Sequence, residues 1–379
     1  MRIEPPIPAE VLAAVRRPFE GLEATLADVP LVQPLGMVLD LAGEALRARL
    51  FVVQAEGGAE YCLRPDFTAP VARRHIEAGA EQGLYYYQGK AFRAAPAPST
   101  RPEEFLQLGV ERFAKEDGDP VAADIEMAGL AWAAASAGGR QDLTLWLGDA
   151  ALVEAFIGTL DLAPSQAARL VRLARRPRLL QAELARAGRT PEAAAESGRL
   201  ETLLADLPAS SAGELLREVW ALADIAPVGG RDPADIAARL VRKAEARRAP
   251  ALSRDQADAL QRFLAIEDAP RSALAEIGRL AGGSAPALER ALADWNRRLD
   301  GLTAAGAPEG QMRFAPRLGQ TFDYYDGMTF EVRSQALGAD RPVAAGGRYD
   351  GLPERLGGRP GRAIGCMVRP WRAYVSGEA

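Results

Sequence analysis

Strand signals in this chain sit at its two ends, with a long helix-forming stretch between them. Residues 1–145 mix helix and strand patterns, residues 146–305 are dominated by Ala, Leu, Arg and Glu, and residues 306–379 return to strands and turns. A sheet that draws strands from both ends must close around the intervening helices. That order predicts an α+β domain interrupted by a helical insertion.

The local signals fill in this outline. Apolar residues recur at helical spacing over Glu10–Leu26. Leu50–Val53 and Tyr61–Leu63 read as short strands around a Gly57-Gly58 turn. Phe67–Gly79 reads as a helix with Thr68 and Pro70 in its first turn. Leu84–Gln88 and Phe105–Phe113 carry further strand signals around a Pro-rich loop, Ala94–Pro102. A helix opens at Asp119-Pro120 and runs to about Ser136, and Met328–Val332 alternates like a strand.

Composition removes several function classes. With 379 residues, 48% of them hydrophobic, the chain has length for two or three domains and a core that needs no disulfides. A net charge of -5 argues against a whole-surface affinity for nucleic acid. The arginines at 169, 172, 175, 176 and 178 are the best local case for RNA binding, but Pro177 breaks the stretch and a solvated face is the simpler reading. The single histidine, His75, and two scattered cysteines, Cys62 and Cys366, supply neither a zinc site nor a nucleophile–histidine mechanism. No metal and no cofactor are expected. Met1–Glu10 lacks the apolar core of a signal peptide, and the longest apolar stretch, Met127–Gly139, is too short for a bilayer. A cytoplasmic protein without membrane contact is expected.

Four segments carry chemistry. In Leu63–Pro70, Asp66 and Thr68 stand where a strand gives way to a helix; Asp66 suits a ligand ammonium, and the alternative is a helix cap. In Gly89–Glu111, Gln107 and Glu111 share one face of a strand, and a buried polar pair needs a partner. A ligand ammonium would supply it; so would a structural arginine. In Thr321–Glu331, adjacent Tyr324 and Tyr325 point to opposite sides of an extended chain, so one packs in the core and the other meets a ligand, unless both are core aromatics of a hairpin. Ala345–Leu352, followed by Ala363–Cys366, allows close backbone approach, and it is not a P-loop.

In this order, the four segments resemble the catalytic core of histidyl-tRNA synthetase, a class II aminoacyl-tRNA synthetase. Residues 63–68 look like the family's Leu-Arg-Pro-Glu-Gly-Thr, 89–111 like the motif 2 strand-loop-strand, and 321–325 like Gly-Leu-Asp-Tyr-Tyr; the run Gly-Gly-Arg-Tyr-Asp-Gly-Leu is identical at 346–352. Pro34 is similar to the motif 1 proline at the family's dimer interface. The resemblance implies an antiparallel sheet flanked by helices. It also implies a histidine site made by Asp66, Thr68, Gln107, Glu111, Tyr325 and Tyr349.

The departures from the family fall on the nucleotide half. Motif 2 begins Arg-x-Glu-Arg, whereas Arg93 is followed by Ala94, Ala95 and Pro96. Gln320 stands where the family has an arginine implied to stabilise charge during adenylate formation, a role worth about 3–4 kcal/mol. Motif 3 ends Gly-Leu-Glu-Arg in the family and Arg369-Pro370-Trp371-Arg372 here. Arg93 and Arg372 are thus read as remnants of a nucleotide site, with no catalytic residue, and the anticodon-binding domain is expected to be absent. A paralogous family with this outline is the regulatory subunit of ATP phosphoribosyltransferase. Similarity to it implies a short-form catalytic subunit as partner, L-histidine as effector, a homodimer within a hetero-oligomer, and no tRNA. The alternative is an active histidine-activating enzyme, either a truncated synthetase or an ATP-dependent amino-acid ligase.

Overall fold

The computed structural model describes residues 1–95, 98–174, 176–188, 211, 214–215, 218, 222, 251–282, 285–319 and 324–375. The chain divides into two compact units, one of residues 1–161 and 262–379 and the other of residues 162–261.

The first unit is built on a sheet assembled from both ends of the chain. Helix α1 (Ala9–Glu20) is followed by β1 (Thr25–Leu26), β2 (Val32–Pro34), α2 (Leu35–Ala42), β3 (Val52–Gln54), β4 (Glu60–Leu63), α3 (Thr68–Glu77), β5 (Gly83–Phe92), β6 (Glu104–Ala114), α4 (Pro120–Ser136), β7 (Leu143–Asp149) and α5 (Ala150–Ile157). The C-terminal part supplies β8 (Met312–Phe314), β9 (Met328–Ser334), β10 (Ala344–Arg348) and β11 (Arg362–Val368). Among the described residues these form an eight-stranded sheet in the order β1-β5-β6-β11-β10-β9-β7-β8. Every pairing is antiparallel except the short parallel strands at the edges, β1 on β5 and β8 on β7. A separate antiparallel sheet, β2-β4-β3, carries Pro34.

Two seams join the ends of the chain. Strand β6 pairs with β11 from Leu108↔Val368 to Ala114↔Arg362, and β7 pairs with β9 from Leu143↔Ser334 to Asp149↔Met328. Helix α4 packs against β9, β10 and β11, with Met127, Ala128, Ala131, Ala134 and Ala135 fully buried. Helix α3 lies against β6, where Val71 and Ala72 join a core of Phe67, Tyr87, Phe105 and Phe113. Alternation along β6 therefore sends Phe105, Gln107, Gly109, Glu111 and Phe113 to one face and Leu108 and Val110 to the other.

Several expectations change in detail. The helix expected to reach Leu26 stops at Glu20, capped by Gly21, and Thr25 and Leu26 pair with Tyr85 and Tyr86 as an edge strand. Tertiary pairing overrides the helical spacing there. The helix-rich zone expected over 146–305 is broader than the second unit. Its first residues, Trp146–Asp149, complete a core strand, and the helices Pro270–Leu280 and Pro286–Ala304 belong to the first unit. Phe156 and Phe263 stack at 4.1 Å where the chain leaves and re-enters that unit. Within the second unit, Arg169 pairs with the buried Glu183 rather than facing solvent, one helix ends at Ala174 and the next starts at Pro177, while Arg175 lies outside the described residues.

A buried ionic cluster ties α4 to β10 and to the helix Pro286–Ala304. Asp124, fully buried, accepts from Arg298 at 2.8 Å and from Arg348 at 2.6 Å, and Arg348 also reaches Asp350 at 3.0 Å. Removing the shared carboxylate leaves two buried guanidinium groups without it. Asp124→Ala is expected to lower unfolding free energy by about 3–5 kcal/mol, read as a fall in the urea midpoint of tryptophan fluorescence, with Asp124→Asn losing less.

Candidate ligand pocket

The pocket opens on the face of the sheet that β6 shares with α3. Strands β6, β11 and β10 lie side by side there, and their register aligns Glu111 with Gly365 and Gly365 with Gly347. The glycines are required by space. A Cβ on Gly365 would overlap the Glu111 carboxyl, one on Gly109 would overlap the Cys366 carbonyl and the Tyr87 hydroxyl, and one on Gly347 would come within 2.8 Å of the Tyr325 ring. The Gly-rich run thus works by leaving room for side chains of neighbouring elements.

Asp66, Thr68, Arg93, Gln107, Glu111, Tyr325 and Tyr349 all line one cleft, together with Tyr87, Tyr324 and Cys366. The cleft is narrow, with a cavity volume of about 40 Å³.

Glu111 lies at its centre, 1% exposed. Thr68 Oγ1 donates to its Oε1 at 2.7 Å, and the Tyr349 hydroxyl donates to Oε2. Among the described residues no guanidinium pairs with it. The structural arginine allowed by the sequence is therefore replaced by hydroxyl groups. Burial, with a further push from Asp66, outweighs those hydroxyls and raises the Glu111 carboxyl to about 8. Burial likewise raises Asp66, while Arg93 and the backbone amides of Ala69 and Thr68 pull it down. Those amides open α3, where Phe67 is the N-cap and no side-chain cap hydrogen bond is made, so Asp66 lies in the cleft beside the helix start. Arg93 stands 3.7 Å from Asp66 and donates from Nε to the Pro65 carbonyl at 2.9 Å.

Gln107 is 2% exposed, and its Oε1 has no hydrogen-bond partner. A buried amide oxygen left unpaired costs roughly 1–3 kcal/mol.

Tyr324 and Tyr325 do not divide between core and cleft. Both line it, with their ring centroids 4.7 Å apart, because residue 324 lies in a turn and extended strand begins only at Met328. Asp326 fixes this turn against the next: its carboxylate accepts from the amides of Asp350 at 2.9 Å and Gly351 at 2.7 Å, which sets Tyr325 and Tyr349 side by side. Neither Asp326 nor Tyr87 stood out in the sequence. For Tyr87 the signal was present, since it shares strand parity with the buried Tyr85.

Arg372 does not line the cleft; its Nη1 donates to the Pro342 carbonyl at 2.9 Å. Burial and the neighbouring Arg369 lower it to about 8. Ala95, at the family's glutamate position, donates its amide to Glu103 Oε1 at 3.1 Å. Pro96 and Gln320 lie outside the described residues. His75 is a core residue: it stacks on Phe113 at 4.3 Å, and its Nδ1 lies 3.0 Å from the Tyr85 hydroxyl. Among the described residues no cluster of His, Cys, Asp or Glu could hold a metal ion, and no helix is long and apolar enough to cross a membrane.

Comparison with known proteins identifies the family and the fold. The family model described as histidyl-tRNA synthetase matches residues 25–228 and 219–370. A protein from Mesorhizobium japonicum named ATP phosphoribosyltransferase regulatory subunit is 34% identical over 353 residues, which is 92% of each chain. One of the same name from Rhizobium meliloti is 34% identical over 355 residues, 90% of this chain and 89% of its own. In fold, the chain is similar to an ATP phosphoribosyltransferase regulatory subunit/histidyl-tRNA synthetase from Bacillus halodurans, with TM-score 0.66, 21% identity and coverage of 99% and 83%. A histidyl-tRNA synthetase from Nostoc superposes with TM-score 0.60 at 15% identity, covering 98% of this chain and 74% of that one. The family-model match and 34% identity over about nine-tenths of the chain to these relatives place the chain in the family of ATP phosphoribosyltransferase regulatory subunits, built on the histidyl-tRNA synthetase fold.

Proposed function

We propose that the chain is a non-catalytic regulatory subunit that binds L-histidine in this cleft and assembles with a short-form ATP phosphoribosyltransferase catalytic subunit, reporting histidine levels to the first step of histidine biosynthesis. The observation that carries the ligand is the unpartnered Gln107 Oε1 beside the buried carboxyls of Glu111 and Asp66. Histidine brings an ammonium group to the carboxyls and an N–H-bearing ring, a donor of the kind that Gln107 Oε1 lacks. Regulation then follows from linkage: histidine shifts the complex only as far as it binds one state better than the other. The departures at Ala95 and Gln320 remove charges that activation of the amino acid would use, which supports a role without catalysis. The chain works in the cytoplasm and takes no tRNA.

The apolar surface around Pro34 supports a homodimer. Leu31, Val32, Val52 and Val53 are each at least 42% exposed on or beside the small β2-β4-β3 sheet. A second copy covers this patch in our reading, consistent with the motif 1 resemblance at Pro34.

Calorimetry on the pure chain tests the ligand. Histidine is expected to bind, and Glu111→Ala is expected to cost about 2–5 kcal/mol of that binding. Unchanged affinity in Glu111→Ala moves the site elsewhere. A histidine-dependent ATP–pyrophosphate exchange assay is expected to stay at background; clear exchange would establish a working enzyme.

Proton linkage gives an independent check. The empty cleft holds Glu111 protonated at pH 7, because its carboxyl titrates at about 8. A bound ammonium favours the carboxylate, lowers that value and expels the proton. Histidine affinity should therefore weaken as pH falls below about 8. At pH 7, titrations in buffers of different ionisation enthalpy should show about one proton released per site, a release that Glu111→Gln abolishes. For the dimer, Val32→Asp combined with Val53→Asp is expected to halve the mass seen by sedimentation.

A further inference from the structure

Next to the amino-acid cleft, the ground that the family resemblance gives to a nucleotide is filled from within. Strand β11 stops at Val368, opposite Leu108, and leaves the lower part of β6 free on that side. The chain's own N-terminus runs along this free edge. Ile3 bridges Glu104 in parallel, the Glu4 amide donates to the Glu104 carbonyl at 2.9 Å, and Glu4 Oε2 accepts the Leu106 amide at 3.0 Å. The other oxygen of Glu4 takes Arg369 Nη2 at 2.8 Å, in a pair whose side chains are 3% and 5% exposed.

Arg369 stands where the family's motif 3 has glycine. Its guanidinium carbon lies 3.4 Å from the centroid of the Phe105 ring. Arg93, the residue the resemblance ties to the α-phosphate, stands 5.8 Å from the same ring. A glycine at position 369 would leave the ring face bare beside Arg93. Here an arginine covers it, locked by a buried carboxylate from the far end of the chain. The N-terminus is held ahead of Glu4 as well, since Arg2 donates to the carbonyls of Ala95 and Arg101 and pairs with Glu103.

We infer that Arg369 is the specificity-determining residue of the cleft: clamped by Glu4 over Phe105, it occupies the place of a nucleotide beside Arg93 and restricts the cleft to a free amino acid. The inference rests on the proposed histidine site for the second half of that statement, and its test separates the two. A plain structural pin would hold the N-terminus without excluding anything.

Full-length chain is titrated calorimetrically with AMP and, separately, with histidine. Wild type is expected to bind histidine and to give no heat with AMP at millimolar concentration. Arg369→Gly alone leaves Glu4 buried without its cation, so the test variant is Glu4→Gln with Arg369→Gly. It is expected to gain AMP affinity by at least tenfold while histidine affinity stays within a few-fold of wild type. Glu4→Gln with Arg369→Met removes the same charges but keeps the volume, and is expected to stay closed to AMP. AMP binding by wild type overturns the inference. So does a folded Glu4→Gln, Arg369→Gly variant, checked by circular dichroism, that still ignores AMP. Opening by Arg369→Met as well would make charge, not occupancy, the barrier and also overturn it. Loss of histidine binding in every chain, with AMP gained only by the glycine variant, would remove the histidine reading and leave the occlusion standing.

Discussion

The pairing of β6 with β11 is the constraint on which the other features rest. It lays a strand from the first third of the chain against one near its C-terminal end, and both strands line the cleft. Glu111 comes from one strand and the glycine that makes room for it from the other. Helix α3 and the turn around Tyr349 then close over the carboxyl from opposite sides, Thr68 from one and Tyr349 from the other. A slip of one residue in this pairing would send Gln107 and Glu111 to the opposite face, among Leu108's neighbours.

The cleft is an acidic, dehydrated place with few cations of its own. The unpaired Gln107 oxygen there carries a desolvation cost that no protein group among the described residues offsets. The neighbouring ground is the opposite: burial lowers both Arg369 and Arg372, with Arg93 and Arg341 adding to it for each and Arg369 also acting on Arg372, and Glu4 is the buried counter-charge. The two neighbouring regions thus differ in character. One holds the unpaired Gln107 oxygen beside buried carboxyls, and the other is filled by its own paired side chains.

Much of this was legible in the sequence, and the reasons for the rest are physical. The parity of Gln107 and Glu111 on one strand face is a property of extended backbone and needed no partner information. Four spaced segments agreeing with one family located the cleft residues, and all six of them line it. What failed was read from short-range spacing alone. Thr25 and Leu26 look helical until Tyr85 and Tyr86 offer a strand edge. Tyr324 and Tyr325 alternate only if the chain is extended, and it turns there instead. The Asp124 cluster and the Glu4–Arg369 pair join residues far apart in the chain, and no local pattern announces a partner at that distance.

The stacked Phe156 and Phe263 mark the point where the chain departs from the sheet-bearing unit and returns to it. Because both rings belong to that unit, the two ends of the excursion are held together whatever lies between them. Closing a loop costs only about 0.6 kcal/mol more for each doubling of its length. Selection can therefore lengthen, shorten or replace the module strung between these rings almost free of consequence for the cleft.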